Sequence, residues 1–261
     1  MKPLQQQHPG YYSRQAKFRA AFRTGVPVLM YHQVARPRWG VKYPYLSVPP
    51  ALFARQMREL LDAGMVSGDL SDAAGGVQAE KNGKIVITFD DGFENVFRNA
   101  MPVLKECGFR AIQFIVSGFI GKRNSWDEAL DGLTEPLMDE AQIREWLAQG
   151  HRIGAHTRTH RRLPSLPSGA MREEIESSKK ELEDRFGVAV EDFCYPHGAY
   201  DQRVADMVQE VGFKTACTIR FGVNRQGVNP FQLLRMTARR ESRGLKHWVR
   251  QWKTRGLQWE I

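Results

Sequence analysis

No stretch of this 261-residue chain is apolar for long enough to span a bilayer, and its N-terminus has no apolar run that could form the core of a secretion signal. The expectation is therefore a soluble, cytoplasmic protein. Cysteine is scarce. Cys107, Cys194 and Cys217 are odd in number and share no short spacing, which excludes a disulfide framework and a cysteine-built zinc site and fits a reducing compartment. Acidic residues are outnumbered, 29 against 38 basic, for a net charge of +9. No helix-turn-helix, zinc-finger or aromatic RNA-binding pattern accompanies that charge, so phospholipid headgroups or an acidic polymer are better matched partners than nucleic acid. No internal repeat and no linker divides the chain, and one domain is expected.

What is present is alternation. Val26 to Tyr31 reads as a strand that delivers His32, and Pro50 to Asp62 as a helix with Leu52, Phe53, Met57, Leu60 and Leu61 at helical spacing, closed by Gly64. A Gly/Ala/Asp-rich passage leads to the strand Lys84 to Phe89. The helix after it, starting near Phe93, carries Val96, Phe97, Met101, Val103 and Leu104. Strands are expected at Phe109 to Val116, His151 to Ala155, Val190 to Tyr195, Phe213 to Thr218 and Phe231 to Thr237, with helices at Asp139 to Gln149, Ser168 to Phe186 and Tyr200 to Val211. Such alternation predicts a parallel sheet flanked by helices, open or closed into a barrel. Two basic segments flank it. Residues 1–24 form a leader, in which Tyr11 to Arg23 reads as a cationic amphipathic helix suited to peripheral membrane contact or as a solvated extension, and residues 241–256 form a basic closing helix with Leu245, Trp248 and Trp252.

The chemistry gathers at strand ends. Thr88-Phe89-Asp90-Asp91-Gly92 ends a buried strand in two carboxylates, and the glycine lets the chain turn so that both neighbours can reach one space. One aspartate could hold a metal while the other stays free as a base; the other reading is an acidic turn capping the next helix. His156 and His160, four apart in His156-Thr157-Arg158-Thr159-His160, are spaced for two imidazoles on one cation, or make a polar surface turn. Together the motifs supply two histidines and one carboxylate, a donor set that leaves room for water, as catalytic zinc sites do. His32 and Pro196-His197-Gly198 also follow strands, at the end that carries the chemistry in α/β barrels.

These two motifs, in this order, resemble those of the polysaccharide deacetylase family, which shares the NodB homology domain, and Cys194-Tyr195-Pro196-His197-Gly198 occupies the slot of that family's third motif. The resemblance implies a distorted seven-stranded (β/α) barrel over residues 25–240. It also implies one divalent metal held by Asp91, His156 and His160, zinc first with cobalt, nickel or iron as options, and Asp90 as catalytic base. The usual arginine of the third motif is replaced by Cys194, and the usual late histidine is missing from the last strand, which carries Arg235 instead. Both departures resemble the poly-N-acetylglucosamine deacetylase branch, in which the histidine of a Tyr-His pair serves as acid; Tyr31-His32 matches it. Arg235 is then a candidate partner for Asp90. The backbone N–H of His197 is a candidate oxyanion donor, and Tyr195 and the loop aromatic Trp126 are candidate substrate contacts, with Trp39, Tyr43 and Tyr45 as further loop aromatics. The implied substrate is an N-acetylated amino-sugar glycan. Hydrolysis of another non-peptide C–N bond, such as a formylated lipid-linked sugar or a cyclic amide, and an inactive glycan-binding barrel are the alternatives.

Overall fold

The structure, a computed structural model, describes residues 24–37, 43, 46–75, 83–130 and 134–238. The expected leader helix, Trp39, Tyr45 and the basic closing helix lie outside the described residues. Strands run in chain order as β1 (Val28–Tyr31), β2 (Gln33–Val34), β3 (Ser47–Val48), β4 (Val66–Ser67), β5 (Lys84–Phe89), β6 (Ile112–Ile115), β7 (Arg152–Ala155), β8 (Asp192–Cys194), β9 (Thr215–Cys217) and β10 (Met236–Thr237). Helices are α1 (Pro50–Asp62), α2 (Leu70–Gly75), α3 (Glu94–Asn99), α4 (Met101–Cys107), α5 (Glu140–Ala148), α6 (Ser168–Phe186) and α7 (Gln202–Glu210).

Seven strands lie side by side in the order β10-β1-β5-β6-β7-β8-β9, all parallel, with β4 added beside the start of β5. The last segment joins the two edges. Leu233 bridges to Cys217 of β9, and Met236 and Thr237 pair with Leu29 and Met30 of β1, so the sheet curls into the expected seven-stranded barrel.

Strand alternation then decides what faces where. Val28, Val86, Ile112, Phe114, Cys194, Cys217 and Leu233 fill the barrel, while Leu29, Tyr31, Ile87 and Phe89 pack outward against helix residues such as Phe53, Val96 and Trp146. Following the inward parity past the strand ends, His32 continues Val28 and Met30, and Asp90 continues Val86 and Thr88. Register does the rest: Tyr31 lies beside Phe89, so His32 and Asp90 emerge together into the mouth.

Some elements differ from expectation. The helix after Gly92 is two helices, broken at Ala100 ahead of Pro102, because proline cannot donate into a continuous helix and restrains the residue before it. The last strand is confined to Met236–Thr237, with Pro230–Gln232 forming a 3-10 turn started by the Asn229 side chain. The passage after Gly64 contributes β4 and α2, elements too short for periodicity to reveal. Among the described residues no helix is long and apolar enough to cross a membrane.

At the opposite end of the barrel His151 is buried, its ring 4.1 Å from that of Trp146 and its Nδ1 accepting the Ala111 N–H at 3.3 Å. Burial, aided by the Arg110 charge, pushes its pKa down to about 4. Between about pH 6.5 and 4 the unfolded chain takes up a proton that the folded chain refuses, so this contribution is complete above 6.5 and is lost as the pH falls. Urea midpoints measured across that window are expected to fall with acid in the parent protein and less steeply in His151→Asn, whose Oδ1 can replace Nδ1 as acceptor. Parallel curves would show that His151 does not carry the dependence.

Candidate active site

Two neighbouring carboxylates leave β5 with different surroundings. Asp91 has φ of 75°, and Gly92 follows at 83°. The reversal swings the Asp91 side chain, which strand parity would send outward, back into the mouth beside Asp90. Neither aspartate caps the next helix: its N-cap is Phe93, with no side-chain bond. The capping reading is thereby set aside.

Asp90 is gripped from inside the barrel. Arg235 Nη1 donates to Oδ1 at 2.7 Å and Nη2 to Oδ2 at 2.8 Å, a two-pronged pair with the arginine wholly buried. Arg235 is itself held by the Thr218 carbonyl at 2.8 Å, Thr88 Oγ1 at 3.2 Å and Cys194 Sγ at 3.1 Å. The small thiol at 194 leaves the space that a longer side chain there would fill, and the guanidinium enters it from the other edge of the barrel. Burial works against ionisation of Asp90, but the Arg235 charge, with that of His32, keeps its carboxyl below the usual range. Burial raises the Cys194 thiol to about 11, so it stays neutral beside the pair. His32 stands on the solvent side, its Nε2 3.8 Å from Asp90 Oδ2.

Asp91 faces the histidine pair. His156 Nε2 and His160 Nε2 each lie 3.3 Å from Asp91 Oδ1. The loop between them is not helical: Thr157 and His160 both have positive φ, 62° and 61°, and the Thr157 hydroxyl accepts the His160 N–H at 2.9 Å. His156 Nδ1 is 2.7 Å from the Cys194 carbonyl, which can only accept, so Nδ1 carries the proton and Nε2 is free to act as a donor atom.

These three atoms suit a cation. Ligands about 2.0–2.1 Å from a tetrahedral zinc lie roughly 3.3 Å apart along each edge, the separation seen from Asp91 to each histidine. Burial opposes charge on Asp91, yet the two imidazoles hold its carboxyl well below the ordinary range. Burial likewise opposes protonation of His156, yet Cys194 and Asp91 hold its pKa well above. A second set of donor atoms, from Asp90, His156 and Cys194, is also close enough together. Arg235 already occupies both Asp90 oxygens there, which disfavours a second positive charge.

A clamp on the histidine loop has no counterpart in the sequence analysis. Glu174 of α6, buried, accepts the Thr159 N–H at 2.8 Å and also its hydroxyl, and its carbonyl takes the Arg158 N–H at 3.1 Å. Glu181, two turns on, joins Arg158 Nε at 2.8 Å to Ser117 Oγ at 2.6 Å. Gly118 closes the other side, where a Cβ would sit 2.7 Å from the Arg158 carbonyl. The available signal was Glu174 lying in the helical stripe of Met171, Ile175, Ser178 and Leu182, where an unpaired acid is out of place.

The remaining candidates divide. Trp126 stacks on His160 with centroids 4.6 Å apart and edges onto Phe119, so it forms a wall of the site. His197, at φ 58°, brings its ring within 4.6 Å of His160; burial first, then the charges of His160 and Arg162, push its pKa down to about 4. Its N–H meets no acceptor among the described residues. Tyr195 turns away: buried, it stacks on Tyr200 and bonds the Phe231 carbonyl at 3.0 Å, so the expectation of a substrate contact through this ring is not met.

Comparison with known proteins bears on the family and the fold. YxkH of Bacillus subtilis (strain 168), named as a polysaccharide deacetylase, is 26% identical over 214 residues, covering 81% of this chain and 70% of its own. A poly-beta-1,6-N-acetyl-D-glucosamine N-deacetylase of Staphylococcus aureus (strain MSSA476) is 24% identical over 148 residues, 55% of this chain and only 49% of that enzyme's length. The structure of IcaB from Ammonifex degensii has the same fold, with a TM-score of 0.71, 24% identity and coverage of 87% of this chain and 97% of that one. The sequence model described as Polysaccharide deacetylase matches residues 78–216, from the approach to β5 through both carboxylates and the histidine pair to β9, and the chain therefore belongs to the polysaccharide deacetylase family of hydrolases.

Proposed function

We propose that this protein is a metal-dependent hydrolase that removes N-acetyl groups from an amino-sugar glycan. The observation that carries the reading is the separation of tasks at adjacent positions. Asp91 is turned to the two histidines, while Asp90 is drawn off by Arg235 and kept free of them. Asp91, His156 and His160 would hold one divalent ion, zinc being the best match to two imidazoles and a carboxylate. When bound, the ion supplies a Lewis acid for the acetyl carbonyl and lowers the pKa of water at the site.

The protein's own groups account for the proton movements. Asp90 is ionised and aimed, because the fork of Arg235 fixes the plane of its carboxylate, and it takes the proton of the attacking water. His32 sits across Asp90 from Arg235 and is the proton donor to the departing sugar amine. The unpaired N–H of His197 fits a donor to the developing oxyanion, a task that needs a fixed backbone rather than a particular side chain. Trp126 braces His160 and bounds the space in which the acetamido group would lie. Names among the relatives, chiefly the staphylococcal enzyme, support N-acetylglucosamine chains as the substrate class.

Acetate release from N-acetylglucosamine oligomers by zinc-loaded protein is the direct test. Asp90→Asn is expected to keep its zinc by elemental analysis and to lose roughly 10² or more in turnover, the usual effect of removing a general base. Turnover near the parent's with zinc retained would remove Asp90 from the role. Acetate release from none of these glycans, with activity on a formylated lipid sugar or a cyclic amide, would move the substrate to a different C–N bond.

For His32→Ala the expected pattern is normal zinc content and a large loss of kcat on the ordinary amide, recovered in part when the leaving amine is activated and needs no proton. An equal loss on both substrates would mean that His32 only shapes the site.

A further inference from the structure

Most described arginines hold an acid. Arg58 faces Glu106, Arg98 faces Glu94, Arg144 faces Glu140, and Arg172 faces Glu210. Among the described residues, Arg36, Arg161, Arg162, Arg185 and Arg220 have no such partner and no side-chain hydrogen bond. All but Arg185 lie on loops leaving the C-terminal ends of strands, the end that carries the site.

The loops of Arg161, Arg162 and Arg220 meet at the Pro196–Gly198 turn. Arg161 and Arg162 directly follow His160, and the Arg162 charge is felt by His197. Arg220 lies beyond the same turn: its carbonyl accepts the N–H of Arg235 at 2.9 Å, and the neighbouring Ile219 side chain packs over Gly198. Arg161, Arg162 and Arg220 are exposed. The carboxylates nearest in sequence are engaged elsewhere, Glu174 by the Thr159 N–H at 2.8 Å and Glu210 by Arg172 at 2.8 Å, and so are others on neighbouring loops and helices. Asp127 takes the Asn124 amide at 2.8 Å, Asp201 caps α7 through the Val204 N–H at 2.9 Å, and Glu173 faces Arg158 at 3.4 Å.

We infer that the substrate carries an anionic group, a phosphate or a carboxylate, next to the acetamido sugar being cleaved, and that Arg161, Arg162 and Arg220 at the barrel mouth bind it. This rests on the hydrolytic reading above and adds the charge of the substrate to it. A neutral glycan is held by stacking and neutral hydrogen bonds and makes no use of guanidinium groups that lack an acid. The guanidinium fork matches carboxylate and phosphate oxygens two at a time. Because these side chains are exposed, the attraction is screened by salt.

The experiment compares kcat/KM of zinc-loaded protein at low and high salt on three substrates of similar size. These are a neutral N-acetylglucosamine oligomer, an oligomer alternating N-acetylglucosamine with glucuronate, and an N-acetylglucosamine oligomer bearing a phosphate. At low salt at least one anionic substrate should be preferred by about tenfold, the size of one charge-assisted contact, and high salt should erase the preference. The arm that is favoured tells carboxylate from phosphate. In Arg161→Gln/Arg162→Gln the anionic-to-neutral ratio should drop toward one, whereas Arg185→Gln should keep the parent ratio. No preference in the parent protein, or a preference untouched in the double variant, overturns the inference. If no acetate appears from any substrate, the hydrolytic reading is what fails. Calorimetric titration of the phosphate-bearing and glucuronate-bearing oligomers then decides separately: weaker binding of either by the double variant supports the anion site, and equal binding of both contradicts it.

Discussion

The rest of the site depends on the buried ion pair between Arg235 and Asp90. An arginine with no exposed surface is stable only when every donor is matched, and here two donors meet the carboxylate while the others reach a carbonyl, a hydroxyl and a thiol. Removing one partner of such a pair typically costs about 3–5 kcal/mol, because the other is left charged in a dry interior. The pair also sets chemistry. With Asp90 tied to Arg235, Asp91 is the carboxylate that meets both His156 and His160, and its left-handed backbone is what lets it do so.

That pair is also a statement about topology. Arg235 lies 145 residues from Asp90 and belongs to the segment that hydrogen-bonds β9 on one side and β1 on the other. Closing the barrel and completing the site are therefore linked: the segment that joins the two edges of the sheet is the one that brings Asp90 its arginine. His32, from the first strand, reaches the same point through the β1–β5 register. The first strand, the central strand and the final segment thus each deliver one of His32, Asp90 and Arg235.

Much of this was legible in the chain. The bounds of α1 follow from apolar spacing, and Asp90, Asp91, His156 and His160 stand out as carboxylates and imidazoles at strand ends, their separate roles being what the family resemblance implies. The substitution of an arginine by Cys194 could be seen, and so could a candidate replacement in Arg235; that the two meet could not, since sequence does not report which inward-facing side chains share a layer. The positive φ values at Asp91, Thr157, His160 and His197 were equally hidden, because these residue types do not demand them and only the surrounding hydrogen bonds impose them. Glu174 escaped for a different reason: on a heavily charged helix, one acid in the apolar stripe is easily read as part of the solvated face. Short elements such as β4 and α2 carry too few residues for any period to show.

The central claim is that the adjacent aspartates divide the work, Asp91 to the metal and Asp90 to the proton. Anomalous diffraction from zinc-loaded crystals tests it most directly. The account predicts one peak, about 2.0–2.2 Å from Asp91, His156 and His160, with Asp90 still forked on Arg235 and outside the coordination shell. A peak among Asp90, His156 and Cys194, or Asp90 coordinated with Arg235 displaced, would contradict it.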